Sequence, residues 1–220
     1  MEIVVYLKDH EDEHSLPTPL RCLIVGSSGS GKTNLLLNFI YDMKGVPFKN
    51  LYVFSRSINQ PAYKQLHNYY EKLEHKLGKT VARFFSTCDE LIPLDECEVN
   101  SLVVFDDCLL DSQSKIKDYF IRGRHKGISC IYLSQSYGRV DMQVIRNNVN
   151  MLCAFNQNKH YTKRIYDDFV GSDMTYVAFE NLCKVCWSKP HGFITIEMNK
   201  KPHKGKYKCL LNKVLNIHSS

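Results

Sequence analysis

The chain has 220 residues, 44% of them apolar and 24% charged, with a formal net charge of +6 and nine cysteines. That balance is ordinary for a globular protein with one large core, and no apolar run nears the roughly 20 residues a membrane helix needs. Met1 to Asp9 has neither a basic leader nor a cleavage site, so no secretory signal is expected; cysteines within apolar runs (Cys22, Cys130, Cys153) point to reduced thiols in a cytosolic or nuclear setting.

In chain order, Met1 to Asp9 reads as a small strand, and His10 to Pro19, acidic and then proline-bearing, as a connection. Arg21 to Val25 is a short apolar run and reads as a buried strand. It enters Gly26-Ser27-Ser28-Gly29-Ser30-Gly31-Lys32-Thr33, which spells G-x-x-x-x-G-K-[ST], the phosphate-binding loop. Asn34 to Ile40 continues as a helix. Strand, glycine loop and helix together let backbone N–H groups and a helix N-terminus converge on phosphate oxygens. Gly26 to Asn34 are therefore the nucleotide-binding set, with Lys32 reaching the β- and γ-phosphates of ATP and Thr33 ligating Mg2+.

Lys49 to Ser55 is a second short strand. Pro61 to Lys76 is a polar helix with Tyr63, Leu66, Tyr70, Leu73 and Leu77 at helical spacing, and Val81 to Phe85 is a weaker strand. Ser101 to Asp107 is a strong buried strand ending in two carboxylates, the form of the Walker B motif. Asp106, at the strand end, is placed to hold magnesium through water. Asp107 is placed to orient or deprotonate the attacking water, although it is one methylene shorter than the glutamate more usual there. Ser114 to Arg124 is a helix closed by Gly127, and Ile128 to Gln135 another buried strand. Gln135 either senses the γ-phosphate and positions water or caps the strand end. Arg124 first, and Arg122 second, are candidates for an arginine finger reaching a neighbouring subunit; the alternative is ordinary pairing of a basic helix end with the helix dipole.

Val140 to Asn147 reads as a short helix, Met151 to Phe155 as a strand and Tyr161 to Phe169 as a helix. Val185 to Trp187 and Phe193 to Glu197 flank Lys189-Pro190-His191-Gly192 and read as a terminal hairpin. Cys183 and Cys186 form a lone C-x-x-C. With only His191 near, alternation within a buried strand is the better reading than a metal site. Asn199 to Lys208 carries five lysines and a histidine and reads as a solvated basic tail rather than a nucleic-acid contact. Apolar strands alternating with helices indicate an α/β fold, a mostly parallel sheet covered on both faces in three layers, with a C-terminal hairpin. No linker or repeat divides it, so residues 1–220 form one domain: 1–19 strand and linker, 20–198 core, 199–220 basic tail.

Gly123-Arg124-His125-Lys126-Gly127-Ile128-Ser129-Cys130-Ile131-Tyr132-Leu133-Ser134-Gln135 resembles the G-R-x-x-G-I…S-Q block of the FtsK/HerA superfamily of DNA-pumping motors. Val144 to Asn150, running on to Phe155, resembles that family's next helix and strand. The compact size and the Asp-Asp Walker B are most similar to poxvirus-type genome-packaging ATPases of large DNA viruses, virophages and polinton-like elements. The resemblance spans Arg21 to Glu197. It implies a RecA-like core assembled as a pentameric or hexameric ring, double-stranded DNA in the channel, and active sites between subunits, where Arg124 acts. It further implies translocation of DNA into a preformed capsid, a capsid protein as partner, and action at a viral assembly site in host cytoplasm or nucleus or with the virion. Asp107 departs from the glutamate of many relatives, and no separate nuclease or DNA-orienting domain is visible. Two other readings of the motifs are a small P-loop kinase and a nucleotide-dependent DNA-binding switch with little turnover. An arginine-rich lid would mark the first, and lack of DNA-stimulated turnover the second.

Overall fold

The computed structural model describes residues 5–9, 16–42, 44–108, 113–139 and 145–217. Ten strands form one sheet: β1 (Val5–Asp9), β2 (Arg21–Val25), β3 (Asn50–Ser55), β4 (Ala82–Phe85), β5 (Ser101–Asp106), β6 (Ser129–Ser134), β7 (Met151–Phe155), β8 (Phe193–Glu197), β9 (Tyr207–Cys209) and β10 (Lys213–Ile217). Among the described residues the longer helices that accompany them are α1 (Lys32–Tyr41), α2 (Pro61–Leu77), α3 (Gln113–Arg122), α4 (Lys159–Phe169) and α5 (Tyr176–Trp187). The spatial order is β1-β10-β9-β8-β7-β2-β6-β5-β3-β4. From β7 to β4 all neighbours are parallel; from β7 outward through β8, β9, β10 and β1 all are antiparallel.

The central strands are buried along their whole length because helices cover both faces, which is why they read as unbroken apolar runs. On one face Leu35, Leu36 and Phe39 of α1 and Tyr63, Leu66 and Tyr70 of α2 pack on Ile24, Val53, Val104 and Leu133. On the other, Phe120 of α3, Ile165 of α4 and Phe179 and Leu182 of α5 pack on Leu23, Val103, Tyr132 and Leu152. The three expected layers are present. Each parallel strand returns through a crossover, so all their C-terminal ends open on one edge, where α/β proteins bind ligands.

Three expectations change. Val185 to Trp187 is the last turn of α5, not a strand. Ala178, Phe179, Leu182, Cys183 and Cys186 are buried at helical spacing, and that burial outweighs the β-preference of Val185 and Trp187. Antiparallel hairpins do follow, but from β8 onward. Cys183 and Cys186 thus belong to a helix; Cys186 meets Cys209 of β9, and among the described residues no three metal-ligating side chains gather. Finally, much of 199–220 is folded rather than a tail. A short turn (Pro202–Lys204) leads into β9 and β10. Three of its lysines are neutralised internally: Lys200 pairs with Glu197 at 2.9 Å, Lys206 with Asp173, and Lys208 with Glu197. Of the expected helix Val140 to Asn147, residues 140–144 lie outside the described residues, as does the connection at 10–15; residues 145–148 are helical.

Candidate nucleotide site

The site begins where β2 ends. Gly26 N–H donates to Ser134 O of β6 at 3.1 Å, tying the loop to the strand that precedes Gln135. A Cβ on Gly26 would lie 2.6 Å from Ser30 Oγ and 2.7 Å from Phe155 Cβ, so a side chain is excluded by close approach. Gly31 caps α1 with φ +107°, a conformation that L side chains rarely adopt. The chain then enters α1 with Lys32, Thr33 and Asn34 in its first turn, the end that attracts anions. Ser30 Oγ is buried without a hydrogen-bond partner among the described residues, a free polar group suited to a phosphate oxygen.

Lys32 Nζ donates to Gly26 O at 2.7 Å and to Ser27 O at 2.9 Å, so the ammonium is held inside the loop. Burial lowers its pKa, while the charges of Asp106 and Asp107 oppose that shift. Asp106 ends β5, is 9% exposed, and accepts a hydrogen bond from Tyr63 Oη of α2 at 2.6 Å. Burial lifts its carboxyl above the usual carboxylate range, against the Tyr63 hydrogen bond and the Lys32 charge. Ser55, at the end of β3, stands beside it in register and adds a hydrogen bond. Asp107 leaves the strand at φ 57°, a left-handed step that Asp tolerates better than most residues. Thr33 and Asp106 supply one hydroxyl and one carboxylate, with the Lys32 cation left for the phosphates. That suits Mg2+, which takes few protein ligands and completes its shell with substrate phosphates and water.

Gln135 is exposed, one residue past β6, at the same edge. Arg124 is elsewhere. It sits in the turn Gly123–Lys126 before β6, close enough to Arg21, at the start of β2, for its charge to add to burial in lowering Arg21's pKa. That is the N-terminal end of the parallel strands, about 20 Å from the loop by strand rise. Arg122 pairs with Asp95 at 3.2 Å and Asp118 at 3.4 Å. The structure therefore brings together Gly26 to Asn34, Asp106, Asp107 and Gln135, and leaves both arginines outside their own chain's site.

The family model of the Poxvirus A32 protein matches residues 8–179. The chain belongs to that family. Among its relatives, the DNA packaging protein OPG160 of Vaccinia virus (strain Copenhagen) is 27% identical over 158 residues, 68% of this chain and 57% of that protein. The Variola virus protein of the same name is 28% identical over 153 residues, 66% of this chain and 56% of its own. The chain thus spans somewhat more than half the length of these relatives. The genome packaging NTPase B204 from Sulfolobus turreted icosahedral virus 2, solved with sulfate, superposes with a TM-score of 0.60 at 15% identity, covering 92% of this chain and 98% of that one. The same protein with ATP-gammaS gives 0.57. The resemblance to poxvirus-type packaging proteins is borne out, and so is the P-loop NTPase fold.

Two contributors escaped the motif reading. Tyr63 was legible only as one of a helix's apolar stripe; its hydroxyl's role required knowing that α2 lies against β5. His191, from the loop before β8, places Nδ1 3.0 Å from Ser30 O. Its left-handed φ of 59° carries no sequence signal.

Proposed function

We propose that this chain is an ATP-hydrolysing motor that drives double-stranded DNA into a viral capsid. The observation that carries the reading is the convergence of Lys32, Asp106 and Asp107 at the phosphate loop, in a chain whose poxvirus relatives are DNA packaging proteins. Loop N–H groups and the α1 N-terminus hold the phosphates, and Lys32 neutralises the γ-phosphate. Thr33 and Asp106 would hold Mg2+, which would spread the charge of the phosphates. Asp107 takes a proton from water; the water oxygen bonds the γ-phosphorus as its bond to the bridging oxygen breaks, and ADP leaves with that electron pair. Gln135 orients the water. Arg124 of the partner subunit reaches the γ-phosphate across a ring of five or six copies. Backbone contact with DNA is indifferent to sequence and weakened by salt, and the motor works with a capsid protein at the assembly site.

The test is ATP hydrolysis with and without double-stranded DNA, paired with a mass measurement. A ring whose turnover DNA stimulates is expected, and Asp107→Asn should keep nucleotide binding while losing hydrolysis. A monomer whose turnover ignores DNA, or phosphoryl transfer to a small acceptor, overturns the motor.

A further inference from the structure

Eight of the nine cysteines are buried, and Cys209 of β9 alone is partly exposed. Cys209 stands opposite Ile194 of β8 in register. Residues directly opposite one another point to the same face of a sheet, here the face covered by α5. There Cys209 packs against the cluster that holds Cys183 and Cys186. Its thiol is in hydrogen-bond contact with that of Cys186, in the last turn of α5. The end of α5 is held in place on two sides. Trp187 Nε1 donates to Ala154 O of β7 at 2.9 Å. A Cβ on Gly192 would lie 2.0 Å from Cys186 O, so the turn into β8 is pressed against the helix end. The two thiols differ in character. Cys186 S–H donates to Cys209, and that bond, with the charges of Lys213 and Lys189, outweighs burial and lowers the Cys209 pKa. The same contact, together with burial, raises that of Cys186. One sulfur is thus an accessible nucleophile and the other a sheltered thiol at its side. Cys22 and Cys153 also touch, but both are fully buried, so no reagent reaches them without unfolding.

We infer that Cys209 and Cys186 form a thiol–disulfide exchange site, which takes a low-molecular-weight disulfide and closes to a bond between β9 and α5. In the first step the Cys209 thiolate attacks one sulfur of the small disulfide. A mixed disulfide forms, the small S–S bond breaks, and the departing thiolate takes a proton from water. In the second step the Cys186 sulfur attacks Cys209 Sγ. The Cys186–Cys209 bond forms and the bond to the small sulfur breaks. That sulfur leaves with the electron pair and takes the proton that Cys186 gives up. Two protein thiols are oxidised, and one small disulfide is reduced to two thiols. The loop so closed contains the His191 turn and all of β8, so the bond restrains the antiparallel strands against the core. In a reducing compartment such a bond is transient, the usual form of a redox-sensing pair. This chemistry is independent of the phosphate site.

Mass spectrometry of the full chain after incubation with glutathione disulfide tests it. The parent should lose two hydrogens, and a digest made without reductant should hold the Cys186 and Cys209 peptides joined. Cys186→Ala should instead stop at a glutathione adduct on Cys209, and Cys209→Ser should stay unmodified over the same time. Iodoacetamide on the native parent should label Cys209 at least about tenfold faster than any other cysteine. A parent that does not react, a lasting glutathione adduct on the parent, or a joined pair other than Cys186 and Cys209 overturns the site. So does equal labelling of the buried cysteines, or modification of Cys209→Ser at the parental rate. The two measurements on the parent decide the matter even where a variant fails to fold.

Discussion

Tyr63 shows how a single hydroxyl bears on the proposed magnesium site. Asp106 is nearly buried, and its carboxylate keeps one orientation because Tyr63 donates to it from a fully buried ring. Outer-shell partners of this kind are worth about 10–100-fold in metal affinity. Tyr63→Phe should therefore raise the Mg2+ concentration for half-maximal turnover by about tenfold. It should also cost about 1.5–3 kcal/mol of stability, since a hydrogen bond to a charged group is lost. A magnesium titration and a denaturant melt check the two effects; an unchanged magnesium requirement means that the bond does not position the carboxylate. The placement of Lys32, Asp106 and Gln135 at one edge of the sheet was legible from spacing, because a glycine loop and apolar strands with polar ends are local patterns. Tyr63 and His191 were not, because their partners lie 43 and 161 residues away.

At the scale of elements the same division holds. The parallel strands announced themselves by continuous burial. Helix α5 did not, although Thr175 caps it with a side chain that accepts from Ala178 N–H at 3.3 Å; a Thr directly before a mixed apolar run was the signal to weigh. Strand β9 was hidden by the lysines in and beside it, Lys208 and Lys206, whose charges are balanced by Glu197 and Asp173. Asp173 is the clearest of these. Burial works to raise its pKa, but hydrogen bonds from Lys206 and Tyr207 outweigh that and hold the carboxyl below its ordinary value. A depressed native pKa contributes stability above the unfolded value, near pH 3.8, and loses it as pH falls through the native pKa. Asp173→Asn should accordingly lower stability by about 1 kcal/mol at pH 7, with the difference shrinking toward zero in strong acid. Melts of both proteins from pH 7 to pH 2 measure it; a constant gap would assign the cost to packing.

For the molecule as a whole, the decisive fact is that Arg124 and Lys32 lie at opposite ends of the parallel strands. A chain cannot close its own site with that arginine, whereas a neighbour in the proposed ring would be able to. Arg124→Ala and Lys32→Ala should each be inactive alone. Mixed in equal amounts they should regain activity at up to about one quarter of interfaces, those pairing an intact loop with an intact finger. If the mixture co-assembles and stays inactive, Arg124 is not the trans residue and Arg122 is tested next.

The outermost strand pair joins Val5 to Ile217, almost the full length of the chain apart. Closing so long a loop is costly in entropy, and the pairing of β1 with β10 lies at the sheet edge. Zipping of β1 onto β10 is therefore expected to be the last step of folding and the first to reverse. In native-state hydrogen exchange, amides of β1 should lose protection through local opening, while those of β2 and β6, flanked on both sides, should exchange only with global unfolding.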